Sequence, residues 1–123
     1  MDMLYYIYIG SNRVTIDHLS KITGGMFMAV SSCNKAAKVI DGIRERYNTS
    51  ILYEESTPQK DSQNITFLHK RFPRVYIILI TEGLQKEHRK LYLQAGVNNT
   101  LSPMASEESL QQMTKFLLSL IHI

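Results

Sequence analysis

Short apolar, β-rich runs alternate with amphipathic stretches along the whole chain, and this alternation restricts the fold more than any other feature. Leu4 to Ile9 is a continuous apolar run, as in a strand buried on both faces. From about Val14 to Thr23, Ile16, Leu19 and Ile22 recur at helical spacing, and Gly24-Gly25 supply a stop. Residues 26–30, MFMAV, are again strand-like. Ser32 or Asn34 caps the next helix, whose stripe is Ala36, Ile40, Ile43 and Tyr47. Ser50 to Tyr53 is a third strand. Asp61 is the expected N-cap of a helix carrying Ile65, Leu68 and Phe72, which Pro73 ends. Residues 75–80, VYIILI, form the most apolar run and the best candidate for a central strand. Leu84, His88, Leu91 and Ala95 give the next stripe, closed by Gly96. Asn98 to Leu101 is a weak fifth strand. Ser106 caps a last helix with Glu107 and Glu108 in its first turn, where acids favour the helix dipole, and with Leu110, Met113, Leu117 and Leu120 or Ile121 on one side.

Five strand–helix units in 123 residues imply one domain, with a parallel sheet and helices on both faces. Right-handed crossovers make this a three-layer α/β/α sandwich. Chemistry in such folds sits beyond the C-terminal ends of the strands. Those ends are Gly10-Ser11-Asn12, Ser31-Ser32, Glu54-Glu55, Thr81-Glu82 and Leu101-Ser102.

Composition narrows the setting. Hydrophobic residues make up 44% and charged residues 20%, ordinary for a globular protein. The single cysteine, Cys33, excludes an internal disulfide, and a reducing, cytoplasmic location is expected. The apolar start carries an acid, no basic flank and too short a run for a signal peptide or a membrane span. The sequons at Asn48, Asn64 and Asn98 therefore carry little weight. Net charge is +3, with basic residues gathered at 69–74 and 86–90. His18, His69, His88 and His122 lack ligand spacing, so no metal site is expected, and Gly24-Gly25 do not make a phosphate loop. The chain ends on KFLLSLIHI, an apolar run that suggests an N-terminal piece of a longer protein.

The strand ends carry a family resemblance. IILIT, 77–81, resembles the fourth strand of response regulator receiver domains, which ends in a functional Thr or Ser; Thr81 fits. LYLQAGVNNTLSP, 91–103, resembles the family segment A-G-A-D-D-Y-L-x-K-P, with Ala95, Gly96, Leu101 and Pro103 matching. Glu54 lies four residues before Pro58, where the family's phospho-accepting Asp ends its third strand. The resemblance covers the whole chain and implies a flavodoxin-like, CheY-like fold with strand order 2-1-3-4-5. It implies that Pro103 follows a cis peptide bond and that residues 84–121 form the partner-binding face, as in a homodimer.

The departures from the family are chemical. Gly10 and Ser11 stand where a working receiver has two acids to hold Mg²⁺, which needs anchored oxygen ligands. Ser102 stands where it has a lysine. Thr100 stands at its aromatic switch position. Phosphoryl transfer is mostly positioning and charge neutralisation, and both supports are missing. The expected function is a non-catalytic pseudo-receiver, a regulatory and protein-interaction module with no cofactor. The effector it serves is open: DNA-binding, a diguanylate-type output or a sugar transferase. The alternatives are an unconventional phospho-accepting receiver and a nucleic-acid-binding domain using the two basic clusters. Two arrangements are open to Glu54: a hydrogen bond to the Thr81 hydroxyl, or a carboxylate in solvent. Glu55 is read as a loop acid facing away. Asn12 is read as a partner of Glu54 or a helix cap.

Overall fold

A computed structural model describes residues 4–24, 26–43 and 49–121. Gly25, Tyr47, Asn48 and His122, named above, lie outside them, as does the side chain of Ile121. Among the described residues the strands are β1 (Tyr5–Ile9), β2 (Phe27–Val30), β3 (Thr49–Glu54), β4 (Tyr76–Ile80) and β5 (Asn99–Leu101). The helices are α1 (Arg13–Ile22), α2 (Cys33–Asp41), α3 (Pro58–Arg71), α4 (Lys86–Ala95) and α5 (Glu107–Ile121). The sheet is parallel, in the order β2-β1-β3-β4-β5.

Period-two alternation divides each central strand between two cores. Ile7, Ile51, Tyr53, Ile77 and Leu79 face α2, α3 and α4, where they meet Ala36, Ile40, Ile65, Leu68, Tyr92 and Ala95. Tyr6, Tyr8, Leu52, Ile78 and Ile80 face α1 and α5, where they meet Leu19, Leu110, Met113 and Leu117. The three layers follow from this division. β2 is an edge, as the expected strand order requires, with Met28 and Ala29 exposed.

Local chemistry sets the helix ends. Asn12 Oδ1 accepts the Thr15 N–H at the start of α1, and Ser32 Oγ accepts the Lys35 N–H at the start of α2. Ser106 Oγ accepts the Ser109 N–H before α5. Gly24 follows α1 with φ 67°, the left-handed conformation that glycine takes without strain. Gly96 closes α4 with φ 128°, and a Cβ there would lie 2.7 Å from the His69 ring. His18 Nε2 donates to the Ala105 carbonyl at 2.6 Å, tying α1 to the segment before α5.

Two expectations are corrected here. Asp61 does not cap α3: the helix begins three residues earlier with Pro58 in its first turn, where a missing N–H costs nothing, and Asp61 is buried inside. Pro103 does not follow a cis bond; every peptide bond described is trans. Ser102–Ala105 is a turn closed by the Ala105 N–H on the Ser102 carbonyl at 3.1 Å. Proline is its second residue, a place that suits trans proline, whereas cis proline belongs at the third.

Candidate functional site

Glu54 is the last residue of β3, and the pleat decides what it meets. It points to the same side as Leu52, towards α1, where the end of β1 lies beside it. The Tyr8 hydroxyl donates to Glu54 Oε1 at 2.7 Å. The Asn12 N–H donates to the same oxygen at 2.9 Å, and the Ser11 N–H donates to Oε2 at 3.1 Å. Three donors therefore hold both carboxylate oxygens. Burial, and then the hydrogen bond and charge of Glu54, push the Tyr8 hydroxyl well above its ordinary pKa of 10.0, so it stays a donor.

Gly10 makes this arrangement possible. A Cβ on Gly10 would fall 2.6 Å from Glu54 Cβ, Cδ and Oε2. The position where the resemblance puts an acid is thus the one where any side chain collides with the folded-back glutamate. Asn12 serves in both of its expected roles, its N–H on Glu54 and its side chain on the cap of α1.

Thr81 lies on the other side of the sheet. Glu54 pairs in register with Ile80, so the residue opposite Thr81 is Glu55. The Thr81 hydroxyl donates to Glu55 Oε1 at 2.7 Å and accepts the Gly83 N–H at 3.2 Å. The expected choice for Glu54, Thr81 or solvent, resolves to neither. Glu55 does face away from Glu54, as expected, but it is the partner of Thr81 and not a plain loop acid. Counting strand alternation from Leu52 and Leu79 carries this information, since Glu54 and Thr81 fall on opposite faces.

Sequence reasoning also missed a buried acid. Asp61 is 1% exposed. Its Oδ1 accepts the Tyr53 hydroxyl at 3.1 Å, and its Oδ2 accepts the Ser56 N–H and the Tyr92 hydroxyl, each at 2.8 Å. Burial first raises both tyrosines above 10.0, and Asp61 adds to the rise. Asn64 completes the cluster by donating to the Tyr53 hydroxyl at 2.9 Å. Tyr53, Asp61 and Asn64 at positions 53, 61 and 64 carry no short-range signal, because a strand, a helix turn and the sheet bring them together.

A small cavity of about 250 Å³ opens between the ends of β1, β3 and β4. Glu54, Glu55 and Glu82 line it, and no lysine or arginine does among the described residues. Magnesium does not fit the donor set. Gly10 and Ser11 offer no carboxylate, and the N–H groups of Ser11 and Asn12 occupy the Glu54 oxygens a cation would need. Ser102 Oγ accepts the Met104 N–H and so serves its own turn. Thr100 is exposed on β5.

The sequence matches no protein-family model and no curated protein. Solved structures do match. The chain is similar to the signal receiver domain of an HD domain-containing protein from Pseudomonas fluorescens Pf-5, at 14% identity over 99% of this chain and 91% of that one, with a TM-score of 0.80. It is similar to a response regulator from Thermotoga maritima, at 11% identity over 95% and 98%, with a TM-score of 0.77. It is also similar to a CheY-like protein, TadZ, from Pseudomonas aeruginosa PAO1, at 12% identity over 93% and 92%, with a TM-score of 0.75. At such identities the likeness is one of fold: five parallel strands in the order 2-1-3-4-5 with five helices, the CheY-like, flavodoxin-like fold of receiver domains.

Proposed function

We propose that this chain is a pseudo-receiver: a regulatory module that works by binding protein and is not phosphorylated at Glu54. The observation that carries this reading is the state of the Glu54 carboxylate. Its oxygens accept three bonds from Tyr8, Ser11 and Asn12 of its own chain, which hold it folded back over Gly10 and have to break before it attacks a phosphoryl donor or holds a metal. Among the described residues no lysine or arginine lines the acidic cavity to offset the charge that develops in phosphoryl transfer. The names of the fold neighbours, receivers and response regulators, support a signalling setting.

The partner surface in this reading is 84–121, covering α4, β5 and α5, with a second copy of the chain as one partner. Leu93 and Phe116 are 59% and 55% exposed there, one on α4 and one on α5. Adjacent Tyr92 and Leu93 divide as an amphipathic helix requires, with Tyr92 buried and Leu93 out. Incubation with Mg²⁺ and acetyl phosphate, followed at once by intact-mass measurement, tests the central part. The expected result is an unchanged mass. A phosphoryl adduct lost in Glu54→Gln would establish the phospho-accepting alternative instead.

A further inference from the structure

α4 has little of its own to hold it in place. Gln85 at its N-cap makes no side-chain cap bond, and Tyr92 and Ala95 are its only buried residues. Helices of this length depend on tertiary contacts for their stability. Two side-chain hydrogen bonds supply such contacts, and both lead to the segment 55–61 at the start of α3.

The first tie is at the approach to α4. Thr81 donates to Glu55 and accepts the Gly83 N–H, so Glu55 fixes the turn that leads into the helix. The Glu55 N–H also donates to the Ile80 carbonyl at 3.0 Å, which holds Glu55 itself against the end of β4. The second tie is in the body of α4. The Tyr92 hydroxyl donates to Asp61, and Asp61 is anchored in turn by the Ser56 N–H and the Tyr53 hydroxyl. Each tie ends on a carboxylate, and hydrogen bonds to charged acceptors are about twice as strong as neutral ones.

We infer that Glu55 and Asp61 form a two-point clamp that holds α4 in one position, with no modification or ligand needed. α4 carries the exposed Leu93, so the clamp keeps half of the proposed partner surface constantly presented. This extends the pseudo-receiver reading and rests on it in one respect: a module that takes no phosphoryl group needs another means of fixing its output helix.

Amide hydrogen exchange on the 123-residue chain tests the clamp, with α1 and α5 amides as the internal reference. Thr81→Val and Glu55→Ala should each speed exchange in the first turns of α4 roughly tenfold, as the loss of one charge-assisted bond allows. Tyr92→Phe should do the same in mid-helix, and the pair Thr81→Val with Tyr92→Phe should exceed either alone. Thr81→Ser keeps the donor and should behave as wild type, while Glu55→Gln keeps a weaker, neutral acceptor and should loosen α4 less than Glu55→Ala. The clamp is overturned if α4 keeps its protection in the double variant. It is equally overturned if Glu55→Gln loosens α4 as much as Glu55→Ala, or if α1 and α5 lose protection in the same proportion. None of these measurements uses Mg²⁺ or a phosphoryl donor, so a failed clamp and a phosphorylated Glu54 are separate results.

Discussion

Glu54 and Glu55 share a side chain and differ only in parity, yet they end on opposite faces of the sheet. One closes the end of β1 through three donors, and the other holds Thr81. This makes Glu54 a structural carboxylate, with a consequence for stability. Crowded catalytic acids are commonly paid for in stability, so removing one tends to stabilise a fold. Glu54→Ala should instead cost about 1–2 kcal/mol in urea denaturation, because it removes the acceptor of the buried Tyr8 hydroxyl and two bonds to the exposed Ser11 and Asn12 N–H groups. Gly10→Ala should cost about 1–3 kcal/mol, since the collision includes Glu54 Cβ, which cannot swing away as the carboxylate can. The two losses should be less than additive, because each removes the same arrangement. Additive losses, or a stabilised Glu54→Ala, would contradict the geometry. The site's residues were legible in the sequence as positions, but its contacts were not. Glu54 and Thr81 were found from strand ends and spacing, while the split between Glu54 and Glu55 needed the register of β3 on β4.

At the scale of elements, the apolar runs and stripes located each strand and helix, and the errors fell at their edges. Asp61 has the chemistry of an N-cap, but Pro58 permits an earlier start, and the tertiary demand of Tyr53 and Tyr92 places Asp61 inside. MFMAV reads as a strand, and its place at the edge follows from the strand order and not from its local hydropathy. Caps offer a graded test. Asn12 and Ser32 make cap bonds, whereas Thr57 before α3 makes none. Ser32→Ala should therefore cost about 1 kcal/mol, and Thr57→Ala much less. Chemical denaturation that ranks Thr57→Ala as the costlier change would sink that assignment.

At the scale of the whole molecule, the repeated strand–helix pattern specified the layers, because five such units in 123 residues leave few ways to cover a parallel sheet. The aromatic hydroxyls inside those layers link stability to pH. Tyr6, Tyr8, Tyr53 and Tyr92 all have pKa values raised above 10.0, with burial the largest cause in each. Below pH 10 the folded and unfolded chains both keep these protons, and the full stability is present. Above it the unfolded chain releases protons that the folded chain retains, so stability falls as pH rises. Phenolate absorbance should show these four tyrosines ionising together with alkaline unfolding; a smooth titration of all tyrosines near pH 10 in a folded chain would contradict the buried network.

The central claim is that the acceptor position is closed by the chain's own donors. Titrating the isotopically labelled chain with Mg²⁺ and beryllofluoride, while following the amides of residues 10–12, 54–56 and 81–83, tests it most directly. The account predicts that these resonances do not move. Saturable shifts at Ser11, Asn12, Glu54 and Thr81 would show that the carboxylate can leave its donors and take a phosphoryl mimic, and would contradict it.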